Sequence, residues 1–178
     1  ALTELLPQLR KTNSEVEHSL AKRPAQPEVI ERLRELPLLA DLNEAQIWEL
    51  LRISKWYRVN KGTALVTEGA GAKSCYMLLE GEAKVLREGK LISFMAPGTI
   101  FGELAFAEST PTPRAATVTA ESEATVGKWP YDALRNASPE LQSKMLQVFF
   151  RLATERLKKA DERYLQLYHQ HLQLTQGT

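Results

Sequence analysis

The sequence predicts a mainly β domain with flanking helices, in which an antiparallel β-roll of the jelly-roll kind follows short helices and precedes one long helix. Three observations support this α+β class. Between about Lys55 and Trp129, short β-type runs alternate with glycine-containing turns, which is typical of a sandwich or barrel. The chain before this region has helical periodicity, and so has the chain after Pro139.

The N-terminal part of the chain predicts three helices. Apolar residues of the segment 2–21 fall near one face of a helix, and a proline-containing break separates it from a shorter helix over 28–36. Asn43, with Gln46 three residues later, has the pattern of a capping box for a helix through Leu51. We therefore expect an N-terminal helix with a linker, a β-roll with leading helices, and a C-terminal helix, over 1–27, 28–138 and 139–178.

Turn signals divide the β region into seven predicted strands. The clearest signals are Asn60-Lys61-Gly62, Gly81, Glu88-Gly89 and Pro97-Gly98. The strands between the turns are expected at 55–59, 63–67, 74–80, 82–87, 91–95, 114–119 and 124–129. One or two helical turns are expected after the last strand, at 130–137.

The long C-terminal helix has two apolar stripes. One suits packing on the β-roll and consists of Leu141, Met145, Val148, Phe149 and Leu152. The other, called the seam below, is spaced alternately three and four residues apart, like the a and d positions of a coiled coil: Leu146, Phe150, Ala153, Leu157, Ala160, Tyr164, Leu167, His171 and Leu174. Because the seam continues beyond the reach of the β-roll, it predicts a parallel homodimer.

Composition limits the partners and the compartment. The formal net charge is +1, from 23 basic and 22 acidic residues, so neither a nucleic acid nor an anionic membrane is expected as the main partner. The sequence contains no apolar stretch of about 18 residues that would predict a transmembrane span. The single cysteine, Cys75, cannot form an internal disulfide, which favours a reducing cytoplasm, and its apolar neighbours predict a small buried hydrophobe.

The segments with the most chemical information are 101–106, Phe-Gly-Glu-Leu-Ala-Phe, and 113–118, Pro-Arg-Ala-Ala-Thr-Val. Gly102 allows the backbone to approach a ligand closely, and Glu103 is an acceptor for the hydroxyls of a diol. The residues after Glu103 predict a helical turn whose free N–H groups face an anion. Arg114 supplies a charged fork for a phosphate. Together these groups suit a ribose that is fused to a phosphodiester.

These two segments resemble the phosphate-binding cassette of the cyclic-nucleotide-binding domain, a family that includes protein kinase A regulatory subunits, the catabolite activator protein and cyclic-nucleotide-gated channels. That cassette reads Phe-Gly-Glu-Leu-Ala, a short variable stretch, and then Arg-Ala-Ala-Thr. Residues 101–105 and 114–117 match it without substitution, and the resemblance covers about residues 30–160. It departs from the family at Ala72, where a turn usually has its second glycine, and in a slightly longer linker within the cassette.

The resemblance implies a cAMP site. Glu103 would accept the ribose 2′-hydroxyl, Arg114 would bind the exocyclic phosphate oxygens, and backbone amides of Gly102, Ala105 and Ala115 would complete the anion site. Ala115 lacks the hydroxyl that family members favouring cGMP usually place there, so cAMP is expected to bind more tightly than cGMP, by about one hydrogen bond of ~1 kcal/mol. The full set of predicted site residues is Phe101, Gly102, Glu103, Leu104, Ala105, Arg114, Ala115 and Ala116.

The base is expected between the β-roll and the C-terminal helix. Which residue of that helix covers the base stays open at this point, among Arg156, Lys159, Ala160, Arg163 and Tyr164. The helix register, which the sequence does not determine, decides between them.

The sequence lacks the residues that a metal site or an enzyme active site would require. A metal site of the kind found in cupins requires clustered histidines and carboxylates, whereas His18, His169 and His171 lie outside the predicted strands. The sequence has no P-loop, paired-carboxylate site or nucleophile elbow. We therefore expect neither a metal nor an enzyme.

Two classes of function stay open. The first is a cAMP-responsive sensor or regulatory module, without a DNA-binding domain, that acts through its C-terminal helix on an unidentified protein partner or attached domain. The second is a dimeric interaction scaffold with a degenerate nucleotide pocket. A scaffold needs neither Glu103 nor Arg114, so the presence of both favours the first class.

Overall fold

The computed structural model describes residues 26–107 and 112–176, and the fold is reported for these ranges. The predicted helix over 2–21 lies outside them, and the division of the chain at 27/28 and 138/139 stays a prediction. Two antiparallel four-stranded sheets form the β-roll, with helices before it and one long helix after it. The predicted fold class is confirmed.

Eight strands build the two sheets. They are β1 (Lys55–Val59), β2 (Ala64–Val66), β3 (Ser74–Glu80), β4 (Ala83–Arg87), β5 (Lys90–Met95), β6 (Thr99–Phe101), β7 (Thr117–Ala120) and β8 (Ala124–Pro130). One sheet has the strand order β1-β8-β3-β6 and the other has the order β2-β7-β4-β5. Strand β3 lies between β8 and β6, and therefore starts beside the end of β8 and runs antiparallel to both.

Two details of the strands differ from the sequence prediction. The pattern did not predict β6, because a strand of three residues is too short to show an alternation. Strand β7 begins at Thr117 and not at residue 114. Arg114 is held outside the ladder because its backbone pairs with the turn before β3: its N–H donates to Ala70 at 2.8 Å, and its carbonyl accepts from Gly69 at 2.8 Å.

The helices are α1 (Gln26–Glu35), α2 (Glu44–Ile53), α3 (Leu104–Ala107), α4 (Tyr131–Arg135) and α5 (Pro139–Gln176), with a short 3-10 turn at Pro37–Leu39. The predicted capping box of α2 is confirmed, since Asn43 and Gln46 exchange side chain-to-backbone hydrogen bonds of 2.9 Å. Glu49 joins α2 to the start of α5. Its carboxylate accepts from the N–H of Ser138 at 2.7 Å and from the Ser138 hydroxyl at 2.6 Å.

The core has two parts. One lies between the two sheets and includes Val59, Leu65, Leu78, Phe101 and Val126. The other lies where the helices pack on the roll and includes Leu33, Leu50, Trp129, Leu141 and Met145. Cys75 is fully buried in this second part, as the sequence predicts, and burial raises the pKa of its thiol well above the usual range.

The two apolar stripes of α5 lie on different sides of the helix. Leu141, Met145, Val148 and Phe149 are buried against the roll and the other helices, whereas Phe150 of the seam is 75% exposed. Further along, Leu157 and Leu167 of the seam are also exposed. The first stripe therefore holds α5 on the domain, and the second faces away from it. No helix within the described ranges has the length and apolar character that a membrane crossing requires.

Candidate ligand-binding site

Gly102 forms the turn between β6 and α3, and its backbone has a φ of +78°. A Cβ atom at this position would overlap Nη1 of Arg114 and would lie 3.3 Å from the carbonyl oxygen of Ser74. Glycine alone adopts this conformation without strain and leaves this space free. The backbone of the turn therefore lies directly against the Arg114 guanidinium, as the two halves of the sequence motif require.

The guanidinium of Arg114 is oriented by three neighbouring groups. Nη2 donates to the carbonyl oxygen of Ser74 at 2.5 Å, and Nη1 donates to the hydroxyl of Tyr131 at 3.5 Å. The Cζ atom lies 5.5 Å from the centre of the Tyr76 ring. Among the described residues no carboxylate pairs with Arg114. Its charge is therefore held in place by neutral groups, an arrangement that suits the binding of an anion.

Glu103 is a buried carboxylate, with 2% of the residue exposed. Its Oε1 accepts a charged hydrogen bond from Arg156 of α5, and the same guanidinium donates to the carbonyl oxygen of Ile100. Its Oε2 is also buried and has no hydrogen-bond partner among the described residues. A buried charge is costly unless it is paired and hydrogen-bonded. Oε2 is therefore an acceptor for which a ligand hydroxyl would be a suitable donor.

The remaining predicted site residues take different positions. Phe101 is buried and stacks on Tyr76, with ring centres 5.4 Å apart, so it supports the site from the core. Leu104 begins α3 and is exposed, and Ala105 in the same turn packs against the core. Ala115 is exposed and Ala116 partly buried, and both lie in the bend between Arg114 and β7. The expected helical turn after Glu103 is confirmed.

Two groups at this site were not found from the sequence. The carbonyl of Ser74 contributes through the backbone, so its side chain gave no signal. Tyr131 is the first residue of α4, and its hydroxyl donates to the carbonyl oxygen of Gly102 at 2.5 Å. Burial raises the pKa of Tyr131, an effect that the positive charge of Arg114 opposes, so its hydroxyl keeps its proton at neutral pH. Arg156 was one of five candidates on the long helix.

Within the described ranges no group of histidine, cysteine, aspartate and glutamate side chains could hold a metal ion. The β-roll thus brings together a glycine turn, an oriented arginine and a buried carboxylate, an arrangement that suits a small anion with a hydroxyl group. Residues 57–138 match the family model of the cyclic nucleotide-binding domain, which confirms the resemblance seen in the sequence.

Known proteins agree with this assignment. Over 101 residues the chain is 36% identical to a cAMP-dependent protein kinase regulatory subunit of Yarrowia lipolytica, a match that covers 54% of the chain and 26% of the relative. A cyclic nucleotide-binding domain of Methylobacillus flagellatus has a similar structure, with a TM-score of 0.68, 24% identity, and coverage of 78% of this chain and 82% of that one.

A structure of Sp-2Cl-cAMPS bound to PKAR CBD2 has a TM-score of 0.62 and 22% identity, over 75% of this chain and 86% of that one. At these identities both structures establish the fold alone. The chain spans about a quarter of the length of the kinase regulatory subunit, 26%, and so resembles one part of that protein.

Proposed function

We propose that the chain is a cAMP-binding sensor or regulatory module, in which Arg114 binds the cyclic phosphate and Glu103 accepts the ribose 2′-hydroxyl. The observation that carries this proposal is the buried carboxylate of Glu103, beside the Gly102 turn on which Arg114 packs. Leaving a buried acceptor without a donor is unfavourable, and a ribose hydroxyl supplies the donor. The oriented guanidinium supplies the positive charge that a phosphodiester needs.

The proposed preference for cAMP over cGMP rests on Ala115. This residue follows Arg114 directly and has no hydroxyl for the amino group of guanine. The loss of one hydrogen bond of ~1 kcal/mol predicts weaker cGMP binding, by a factor of roughly five, and not its exclusion.

We propose that ligand occupancy is transmitted through α5. Arg156 of this helix and the ribose hydroxyl use the same carboxylate of Glu103. Binding of the hydroxyl therefore changes the electrostatic partner that holds Arg156, and with it the interaction between α5 and the site. A ligand shifts a conformational equilibrium only through such a difference in contacts.

The proposed parallel homodimer forms along the seam. The exposure of Phe150, Leu157 and Leu167 supports it, because large apolar side chains in one continuous row on a helix are typical of an interface. Small Ala153 and Ala160 allow close approach of two helices, and Tyr164 at an a position weakens the contact. We therefore expect a dimer of modest affinity.

Calorimetric titration with cAMP and cGMP tests the ligand. We expect cAMP to bind, with a gain in apparent stability of ~2.7 kcal/mol at a hundredfold excess over its Kd. Arg114→Ala should weaken binding by ~2–5 kcal/mol because the phosphate loses its counter-charge. Glu103→Ala should cost less, ~1.5–3 kcal/mol, because it removes hydrogen bonds to a neutral diol. Arg87→Ala, at the exposed end of β4, serves as the control and should bind like the parent.

Size exclusion with light scattering tests the dimer. Replacing Leu157 and Leu167 with glutamate should give monomers, because two charges per helix would be buried unpaired. The matched control replaces Gln166 and Gln173, which are exposed on α5 away from the seam, with glutamate and should stay dimeric. A parent that is monomeric at about 100 μM would exclude micromolar association. A dimer that binds no cAMP at millimolar concentration would instead favour the scaffold.

A further inference from the structure

Tyr131 contacts both halves of the binding motif from outside it. Its hydroxyl donates to the carbonyl oxygen of Gly102 at 2.5 Å and accepts from Nη1 of Arg114 at 3.5 Å. Its ring packs against Phe106 of α3, with the ring centres 5.7 Å apart. One side chain of α4 therefore touches the glycine turn, the short helix after it and the arginine.

The hydroxyl of Tyr131 fixes the orientation of a peptide group that glycine alone leaves free to rotate. Gly102 has a φ of +78° and no side chain to hold it. In a trans peptide the N–H of the next residue points opposite to the carbonyl. When Tyr131 holds the carbonyl of Gly102, the N–H of Glu103 is therefore directed to the other side of the turn.

The same hydroxyl limits the positions that the Arg114 guanidinium can take. Nη2 is held by Ser74 and Nη1 by Tyr131, so both ends of the fork have a fixed neighbour. Because the hydroxyl keeps its proton, it can donate to Gly102 and accept from Arg114 at the same time. A phenylalanine ring would fill the same space but would hold neither group.

We propose that Tyr131 is a positioning residue for the phosphate half of the site: its hydroxyl holds the Gly102 peptide and the Arg114 guanidinium in the geometry that binds the anion. The proposal rests on the proposed cAMP function. Tyr131 also lies at the start of α4, eight residues before α5 begins at Pro139. Binding of a phosphate by Arg114 therefore affects the contacts of Tyr131, which lies in the segment that precedes α5.

The test uses Tyr131→Phe in the full chain, with cAMP and 2′-deoxy-cAMP as ligands. We expect both to bind about tenfold more weakly, which corresponds to ~1.4 kcal/mol, because the hydroxyl acts at the phosphate. The ratio of the two Kd values should stay that of the parent. Glu103→Gln should show the opposite pattern and reduce this ratio. Tyr168→Phe, on the exposed part of α5, makes the same chemical change away from the site and serves as the control.

A double-mutant cycle separates positioning from a general effect on the fold. In an Arg114→Lys background, where the fork is absent, Tyr131→Phe should weaken cAMP binding less than twofold. A tenfold loss in both backgrounds, or parent-like binding by Tyr131→Phe, would overturn the proposal and leave the cAMP function in place. If the parent binds no cAMP, the proposed function fails. In that case the same four variants are compared by thermal unfolding without ligand. If the stability losses of Tyr131→Phe and Arg114→Lys are simply additive, the hydroxyl and the guanidinium are not coupled, and the proposal is overturned.

Discussion

Replacing Gly102 by alanine tests the proposed anion site with a single methyl group. The backbone of Gly102 has a φ of +78°, and an L-residue in a left-handed conformation costs roughly 1–2 kcal/mol. The methyl group would also overlap Nη1 of Arg114. Since a guanidinium is the flexible end of a long side chain, we expect it to move aside at little further cost in stability.

Gly62 provides the matched control. Its φ is +87°, and a Cβ atom added there meets no heavy atom within 4 Å. Gly62→Ala should therefore lose the same ~1–2 kcal/mol of unfolding free energy as Gly102→Ala, because both suffer the same backbone strain. Only the change at Gly102 displaces Arg114. Moving the positive charge of Arg114 away from the phosphate should weaken cAMP binding by ~2–5 kcal/mol, which raises the Kd roughly thirtyfold to several thousandfold.

Urea unfolding measures the stability of both variants, and calorimetric titration with cAMP measures their affinity. We expect similar unfolding midpoints and a loss of affinity of at least about thirtyfold for Gly102→Ala alone. Parent-like binding by Gly102→Ala would refute the reasoning, since it would mean that the position of Arg114 beside the turn does not matter to the ligand. An equal loss of affinity in both variants would indicate that reduced stability, and not the displacement of Arg114, weakens binding.

Two further predictions concern how α5 is attached. Hydrogen bonds from Ser138 lower the pKa of Glu49, so this carboxylate contributes stability that is present above its unfolded value of 4.5 and is lost as the pH falls through the folded value. Urea midpoints measured from about pH 6 to about pH 3 should therefore fall more steeply for the parent than for Glu49→Gln, and parallel curves would contradict this. Leu141→Ala removes a fully buried side chain and should cost ~2–5 kcal/mol in chemical unfolding, whereas Leu146→Ala, at 49% exposure in the seam, should cost the monomer far less. Equal losses would mean that the seam is also part of the folded core.

The sequence predicted those features that depend on local patterns. The capping box of α2 was predicted from Asn43 and Gln46, which are three residues apart, and the structure confirms it. The periodicity of α5 separated its buried stripe from its exposed seam, because each stripe repeats over several turns. The cassette was recognised for the same reason: Gly102, Glu103 and Arg114 stand in two short continuous segments.

Contacts between distant parts of the chain could not be predicted in this way. Arg156 is 53 residues from Glu103 in sequence, and its selection among the five candidates depends on how α5 is rotated about its axis. The carbonyl of Ser74, 40 residues from Arg114, acts through the backbone and has no sequence signature. Tyr131 follows a strand whose aromatic residue, Trp129, is part of the core, so the sequence offered no reason to expect Tyr131 to be anything other than a packing side chain.

The arrangement of α5 predicts that cAMP changes the strength of the dimer. Arg156 faces Glu103, and the next residue, Leu157, lies about 100° around the helix in the exposed seam. Along this stretch α5 lines one side of a cleft of about 490 Å³, and residues 36–38 and 97–99 line the other side. Any rotation that changes the contact of Arg156 also moves the seam.

Binding linkage then requires reciprocity: if cAMP alters the dimer Kd by some factor, dimerisation alters the cAMP Kd by the same factor. Sedimentation velocity with and without cAMP measures the first factor, and titrations below and above the dimer Kd measure the second. Arg156→Ala should bring both factors close to one, because it removes the group that connects ligand and helix. Lys158→Ala, at an exposed position on the side of α5 away from the seam, should preserve them. A dimer Kd in the parent that is independent of cAMP would show that ligand and seam act on separate elements, and the signal would then have to leave the domain by another surface.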